Sequence, residues 1–156
     1  SAGAVDGALR KLLDHYANTC TETTVAYPGI PAALARLTHY LPLALLTNKP
    51  ERMTHRILAD LDLARFFSVV VGGDSLPNRK PDAAPLRWIA AALGVEPADL
   101  MLIGDSAVDA ETAHAAGSRL ALVGWGYGGP GMRTLEPELW LASPDELLTS
   151  ELLAVP

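Results

Sequence analysis

Two aspartates stand directly after a short apolar run in the second half of the chain. Met101, Leu102 and Ile103 lead into Gly104, and two carboxylates four positions apart follow, Asp105 and Asp109. Apolar runs of this length are typical of parallel strands buried on both faces, and open α/β sheets bind ligands at the carboxyl ends of their strands. Hard divalent cations prefer oxygen ligands. The spacing therefore predicts a site for Mg²⁺ at Asp105 and Asp109.

Two other apolar segments also end in polar groups. Thr47 and Asn48 follow one of them, and they offer a hydroxyl and a backbone N–H that can donate to an anion. Lys80 lies in the loop after the other and carries a full positive charge. Phosphoryl transfer requires donors, a cation and a metal placed around several charged oxygens. The combination indicates phosphate ester chemistry, with phosphate bound by Thr47, Asn48 and Lys80.

Each of these residues also has a purely structural explanation. A threonine at a strand end commonly caps a helix or lies in a loop, and Lys80 is one of twelve basic residues. Asp105 and Ser106 before a helix could act only as a cap in a favourable position relative to the helix dipole. The functional hypothesis depends on the order and spacing of the three segments together.

The elements that must position these residues alternate between strands and helices. The sequence predicts strands over 41–46, 66–71, 100–103, 120–123 and 139–142. It predicts helices over 5–16, 31–40, 50–61, 84–93, 108–116 and 144–153, with a glycine-rich loop over 124–131. Because strands and helices of this length alternate, we expect right-handed βαβ units. The predicted fold is α/β, a Rossmann-like parallel sheet flanked by helices.

Composition excludes several classes of protein. The chain of 156 residues is long enough for one domain, and 49% hydrophobic with 19% charged residues is typical of globular proteins. A net charge of −6 without a basic cluster argues against nucleic acid as a partner. No apolar run approaches the roughly 20 residues that span a membrane. A single cysteine, Cys20, and a start without a signal-peptide pattern predict a cytoplasmic protein.

Three segments together resemble those of one enzyme superfamily. They are Leu-Leu-Thr-Asn-Lys-Pro at 45–50, Gly-Gly-Asp-Ser at 72–75 with Arg-Lys-Pro-Asp at 79–82, and Gly-Asp-Ser-Ala-Val-Asp at 104–109. Residues 115–117 and 125–128 add to the match, and we expect the latter at the same end of the sheet. From Tyr27 onward the chain resembles the haloacid dehalogenase superfamily of aspartate-nucleophile phosphatases, and within it the phosphoglycolate phosphatase group.

The resemblance implies a function and a role for each site residue. It implies a Mg²⁺-dependent phosphomonoesterase that hydrolyses a small phosphorylated metabolite, such as 2-phosphoglycolate, through an aspartyl-phosphate. By the same resemblance Thr47 and Lys80 are catalytic residues that bind the phosphoryl oxygens, with Asn48 as a further phosphate ligand. Asp105 would ligate Mg²⁺, and Asp109 would support that metal site.

One part of the family pattern has no counterpart in this sequence. The nucleophile of the family lies in an Asp-x-Asp-x-Thr segment after the first strand. The aspartates that precede Thr47 in this sequence are Asp6 and Asp14, and neither belongs to such a segment. We therefore interpret residues 1–25 as the remnant of a helical cap and its hinge, and 26–156 as an incomplete core domain. Because covalent catalysis requires the attacking carboxylate, we expect the chain by itself to be inactive.

The strand that carries the nucleophile in the family has no counterpart here either. In the family's sheet it lies in the middle, between the strands that correspond to those ending at Thr47 and Ile103. Soluble proteins avoid such unpaired edges, so three arrangements are open. The two strands close onto each other, another chain fills the gap, or the sequence is a piece of a longer product. We expect the last of these.

Other functions stay open at this stage. One alternative is a non-catalytic truncated module that forms a homodimer or pairs with a complementing N-terminal chain. A haloacid dehalogenase activity is less favoured, because such enzymes need no metal and Asp105 and Asp109 would be idle. A sugar-phosphate mutase fits the segment at 45–50 less well.

Overall fold

The computed structural model of the protein describes residue 7 and residues 24–149. This part of the chain includes, at least in part, all five predicted strands and the five helices predicted from residue 31 onward. Its helices are α1 (Ile30–Leu37), α2 (Glu51–Asp60), α3 (Ala84–Leu93) and α4 (Ala107–Ala116), and its strands are β1 (Ala44–Leu46), β2 (Val69–Val71), β3 (Met101–Gly104), β4 (Arg119–Val123) and β5 (Leu139–Leu141). Short 3-10 helices cover Ala64–Phe66, Pro97–Asp99, Gly129–Leu135 and Pro144–Leu148.

Two predictions fall largely on the remaining residues. The helix predicted over 5–16 lies, apart from Gly7, outside the described residues, and so does nearly all of the cap remnant proposed for 1–25. No helix in the described ranges combines the length and apolar character that crossing a membrane requires.

The strands are parallel, as expected, but they form two sheets. β1 pairs with β2, with Leu45 opposite Val70, and β4 pairs with both β3 and β5. The prediction of an α/β fold with parallel strands flanked by helices is confirmed. Among the described strands, β1 and β3 are not hydrogen-bonded to each other, so the arrangement in which these two strands close onto each other is not formed.

Several boundaries differ from the predictions for local reasons. β1 begins at Ala44, not at residue 41, because Pro42 has no N–H to donate to a ladder. β2 begins at Val69 because Ala64–Phe66 turn as a 3-10 helix. α1 ends at Leu37, where the Thr38 hydroxyl donates to the Ala35 carbonyl and competes with the helical pattern.

Two more corrections concern prolines and helix type. α2 begins at Glu51, since Pro50 has an extended ψ of 141° and serves as the residue before the helix. The helix predicted over 144–153 is a 3-10 helix over Pro144–Leu148, and its predicted end lies outside the described residues. The loop predicted over 124–131 passes into a 3-10 helix at Gly129.

The helix ends near the site follow the expected chemistry. α3 and α4 end at Gly94 and Gly117, whose φ values of 72° and 75° are in the left-handed region that favours glycine. α4 begins after Ser106, which forms a reciprocal capping box with Asp109. The predicted helix ends at residues 93 and 116 are confirmed.

The core lies on both faces of β4. Ala121 and Val123 pack with α1 and β5, whereas Leu120 and Leu122 pack with α3 and α4, so successive residues serve opposite faces. A third cluster joins α2 and its flanking turn to β1 and β2 around Leu58. These contacts give the three-layer arrangement of an α/β domain.

An apolar cleft separates the two sheets. It has a volume of about 450 Å³ and is bordered by β1 and β3. Leu45 and Ile103 contribute to its lining, and Ile103, in the middle of β3, is 38% exposed. An exposed isoleucine in a central segment of a parallel strand indicates that this edge of β3 has no neighbour in the described chain.

Candidate functional site

Side chains from several loops and from the first turn of α4 meet at the carboxyl ends of the strands. An open pocket of about 290 Å³ lies there, and its lining includes Lys80, Asp105, Asp109 and the aromatic residues Tyr27 and Trp125. The structure therefore brings together one predicted phosphate ligand and both predicted metal residues. Thr47 and Asn48 are not part of this lining; they lie in the loop after β1, which contacts the Lys80 segment.

Lys80 and Asp109 form the central ion pair of the pocket. The Lys80 Nζ lies 2.6 Å from the Asp109 Oδ1, and the two side chains are 13% and 6% exposed. Hydrogen bonds between charged groups are short and strong, and removal from water strengthens them. The pair fixes the ammonium group at one wall of the pocket.

Asp109 is held from several directions. Its Oδ2 accepts hydrogen bonds from the backbone N–H groups of Asp105 and Ser106, each at 3.1 Å, and from the Ser106 hydroxyl at 2.6 Å. Burial raises the pKa of the Asp109 carboxyl, but the hydrogen bonds from Lys80 and Ser106 lower it more, and the net pKa lies below its usual value. Asp109 is therefore a fixed anion that organises its neighbours.

Asp105 is held by the glycine-rich loop at 124–128. Its Oδ2 accepts a hydrogen bond from the Tyr127 backbone N–H at 2.8 Å, and its carbonyl oxygen accepts one from the Gly128 N–H at 3.1 Å. Within the described chain, Oδ1 of Asp105 receives no hydrogen bond. One oxygen of this carboxylate thus remains available to a ligand.

The loop after β1 touches the Lys80 segment through Asn48. Its side-chain amide donates a 2.9 Å hydrogen bond to the carbonyl oxygen of Lys80. The Thr47 hydroxyl oxygen accepts a bond from the Lys49 N–H at 3.1 Å, which leaves its proton free to donate. The sequence suggested only that the backbone N–H of Asn48 donates to an anion. The structure adds the contact between its side chain and the Lys80 carbonyl.

Comparison with known proteins gives the chain its family. Residues 2–123 match the family model described as haloacid dehalogenase-like hydrolase. The chain belongs to this family. A phosphoglycolate phosphatase of Cereibacter sphaeroides is 47% identical over 118 residues, which are 75% of this chain and 53% of that protein. The phosphoglycolate phosphatase of Salmonella typhimurium is 38% identical over 143 residues, or 90% of this chain and 57% of that protein.

A solved structure supports the same fold. The chain is similar to a Haemophilus somnus protein described as a predicted phosphoglycolate phosphatase, with a TM-score of 0.84 and 28% sequence identity. The match covers 89% of this chain and 63% of the other. The chain spans little more than half the length of the curated relatives, at 53% and 57%. It is thus a phosphoglycolate phosphatase-like member of the haloacid dehalogenase family that corresponds to part of those proteins.

The donor set of this family member fits Mg²⁺ only in part. Among the described residues, no group of three or more histidine, cysteine, aspartate or glutamate side chains could hold a metal ion. Asp105 offers one carboxylate oxygen, whereas both Asp109 oxygens already accept bonds from the protein. Because Mg²⁺ commonly keeps several waters and binds through one or two carboxylates, Asp105 suits a largely hydrated ion. Direct ligation by Asp109 stays a prediction.

A second network, which the sequence did not suggest, supports the loop after β2. Asp74 Oδ1 accepts a 2.6 Å hydrogen bond from the Glu51 N–H, so Asp74 caps the start of α2. The Ser75 hydroxyl donates to Glu51 and accepts from the Gly72 N–H, at 2.9 and 2.8 Å. Aspartate is a common capping residue, but here Asp74 caps a helix that begins 23 residues earlier in the chain, which no local pattern reveals.

Glycines permit the close approach of these loops. A Cβ at Gly73 would overlap the backbone carbonyl of Asn48, and a Cβ at Gly72 would overlap the backbone of Glu51. The Gly73 N–H also donates to the Lys49 carbonyl at 2.8 Å. The turns after β1 and β2 therefore pack main chain against main chain.

Proposed function

We propose that this chain carries the phosphate- and Mg²⁺-binding half of a phosphomonoesterase that acts on a small phosphorylated metabolite such as 2-phosphoglycolate. The observation that carries the proposal is the pocket that Lys80, Asp105 and Asp109 share. The similarity to phosphoglycolate phosphatases supports the same substrate class.

Each residue would have a defined part in this reaction. The Lys80 ammonium would bind a phosphoryl oxygen while Asp109 keeps it in place, and the Thr47 hydroxyl and Asn48 N–H would donate to other oxygens. Asp105 would hold Mg²⁺, which supplies positive charge to the phosphoryl group when bound. Groups placed in this way stabilise the charge of the transition state.

The covalent steps require an aspartate that this sequence does not supply in the family's motif. An aspartate carboxylate would attack phosphorus and form an aspartyl-phosphate while the ester P–O bond breaks, and the departing oxygen would take up a proton to leave as the alcohol. Water would then attack phosphorus, release inorganic phosphate and restore the carboxylate. We propose that the 156-residue chain alone binds phosphate and Mg²⁺ with dissociation constants of about 1 mM or weaker, and turns over no substrate.

Phosphorus NMR titration of inorganic phosphate against the chain tests the binding half of this proposal. Wild type should broaden or shift the phosphate resonance, and Lys80→Met should abolish the effect. Arg79→Met is the matched control, because it removes the same charge from the adjacent, exposed position. Equal binding by Lys80→Met and wild type would refute the role of Lys80. Rapid hydrolysis of p-nitrophenyl phosphate by the pure chain would refute the inactivity.

A second candidate is favoured by the cleft between β1 and β3. We propose that an extended apolar segment, from the rest of a longer product or from a complementing N-terminal chain, adds there as a strand. Two parallel edges flank the cleft, Ile103 is exposed within it, and the curated relatives are nearly twice as long as the matched region. Strand addition to an open edge is a common mode of association.

Analytical ultracentrifugation and the upstream coding DNA discriminate between these arrangements. A monomer, together with an in-frame Asp-x-Asp-x-Thr upstream of Ser1, supports a segment from a longer product. A tight homodimer would refute the proposal that a segment of a longer product fills the cleft, and it would favour the non-catalytic module. We also propose a cytoplasmic location without nucleic-acid partners, which the single cysteine and the net charge of −6 support.

A further inference from the structure

We propose that the backbone of residues 126–128 is the positioning element for Asp105, and that it sets the orientation in which this carboxylate meets a cation. The inference rests on the proposed function of Asp105 in binding Mg²⁺. It concerns a loop that sequence reasoning placed only near the site.

Two main-chain N–H groups of the loop hold Asp105, one at its carboxylate and one at its backbone carbonyl. The Tyr127 N–H donates to the side-chain Oδ2 at 2.8 Å, and the Gly128 N–H donates to the Asp105 carbonyl oxygen at 3.1 Å. The bond to the carboxylate restricts rotation of the side chain, and the bond to the carbonyl oxygen fixes the backbone from which it projects. The donors come from residues 22 and 23 positions later, so the restriction is tertiary.

The glycines on either side of Tyr127 are required by this contact. A Cβ at Gly126 would overlap the Cβ and Oδ2 of Asp105, and a Cβ at Gly128 would overlap its carbonyl oxygen. Among the described glycines, positive φ values are confined to four others, at positions 29, 94, 117 and 129. Close approach to Asp105, not a left-handed backbone, therefore explains why residues 126 and 128 lack side chains.

The arrangement divides the two carboxylate oxygens between two tasks. Oδ2 is taken by the Tyr127 N–H, and Oδ1 remains for a cation. The Tyr127 side chain is 98% exposed and takes no part in this bond, because the donor is its backbone. Groups that orient a metal ligand commonly change metal affinity by about 10- to 100-fold when they are lost.

The experiment compares Gly126→Ala with Gly131→Ala in the 156-residue chain. The control has the same substitution nearby, at an exposed glycine with nothing within 4 Å of an added Cβ and no positive φ. Mn²⁺, a paramagnetic ion that carboxylates also bind, is titrated while the amide resonance of Asp105 is followed by NMR. We expect Gly131→Ala to match wild type, and Gly126→Ala to need at least about tenfold more Mn²⁺ for the same broadening.

A metal-free measurement separates failure of this inference from failure of the proposed function. Amide hydrogen exchange of Tyr127 should be at least about tenfold faster in Asp105→Ala than in wild type, because a charge-assisted hydrogen bond is lost. Unchanged exchange, or equal Mn²⁺ affinity in folded Gly126→Ala, would overturn the inference. Absence of broadening in wild type together with the expected exchange result would overturn only the Mg²⁺ role of Asp105. If Gly126→Ala does not fold, the exchange measurement decides.

Discussion

Lys80 and Asp109 face each other at 2.6 Å, although 29 positions separate them in the chain. Both side chains are largely withdrawn from water, at 13% and 6% exposure. A buried charge that loses its partner is costly, whereas an exposed ion pair contributes little. This single contact therefore links the stability of the fold to the position of the residue proposed to bind phosphate.

Replacement of Lys80 by methionine should destabilise the protein as well as weaken phosphate binding. The variant keeps the length of the side chain but leaves Asp109 as an unpaired charge, so the free energy of unfolding should fall by about 3 kcal/mol. Urea unfolding followed by circular dichroism measures this change. Arg79→Met, at the adjacent exposed position, should stay within about 0.5 kcal/mol of wild type. Equal stability of the two variants would contradict a buried pair.

The stability of the protein should depend on Asp109 at acid pH. The pKa of Asp109 in the folded protein lies below the ordinary value of 3.8, so the unfolded chain takes up the proton first as pH falls. The stabilisation is present above pH 3.8 and is lost as pH falls through the folded pKa. The difference in unfolding free energy between wild type and Asp109→Asn should therefore shrink between about pH 5 and about pH 2.

The exposed pair of Arg119 and Glu138 provides the control for this pH experiment. The hydrogen bond from Arg119 lowers the pKa of Glu138, but the Glu138 side chain is 46% exposed and solvent screens the pair. Glu138→Gln should leave the acid dependence nearly as in wild type. Parallel pH curves for wild type and Asp109→Asn would show that Asp109 has no lowered pKa.

Ser106→Ala should cost more than a typical cap removal. Its hydroxyl oxygen accepts a bond from the Asp109 N–H at 3.4 Å and its proton is donated to Asp109 Oδ2 at 2.6 Å, so the substitution removes two interactions. We expect a loss of about 1–2 kcal/mol in thermal or urea unfolding. Ser143 occupies the same position before a 3-10 helix with nearly the same backbone angles, but without a side-chain cap bond. Ser143→Ala should therefore be close to neutral, and an equal loss in both variants would count against the Ser106 contact.

Asn48→Ala should weaken phosphate binding more than it weakens the fold. The lost bond to the Lys80 carbonyl is on the surface, and a bond of about 1 kcal/mol that holds Lys80 corresponds to about fivefold weaker binding. Phosphorus NMR titration measures the affinity. Asn78→Ala is the matched control, because the Asn78 amide bonds to Asp82 instead. Identical affinities in the two variants would show that Asn48 does not position Lys80.

Neighbouring residues of β3 should respond differently to truncation. Leu102 is 9% exposed and packs against α3 and α4, so Leu102→Ala should cost about 2–5 kcal/mol. Ile103 faces the apolar cleft at 38% exposure, so Ile103→Ala should cost about 1 kcal/mol or less in the isolated chain. Urea unfolding of both variants measures the ratio. Comparable losses would mean that the edge of β3 is covered.

The sequence was most informative where the responsible forces are local. Gly94 and Gly117 end their helices because a left-handed residue is needed there, and glycine adopts that conformation readily. The apolar runs before Thr47, the Lys80 loop and Asp105 identified strands whose ends must meet at one edge of a parallel arrangement. That reasoning predicted the meeting of Lys80 with the two acids.

The remaining differences come from contacts that a local pattern does not contain. The bond between Asn48 and the Lys80 carbonyl and the bond between Tyr127 and Asp105 span 32 and 22 positions. The segment Pro144–Leu148 has a helical start, but proline, aspartate and glutamate in a first turn suit α and 3-10 helices equally, so composition did not decide between them.

The main-chain packing at Gly72 and Gly73 has a consequence for redesign of the pocket. The distance between the turns after β1 and β2 is set by atoms that every amino acid shares, and it is already at contact. Exchange of side chains can alter what lines the pocket, but it cannot bring these two turns closer together. Selectivity for smaller or larger substrates would have to be engineered at side chains that line the pocket, such as Tyr27 and Trp125.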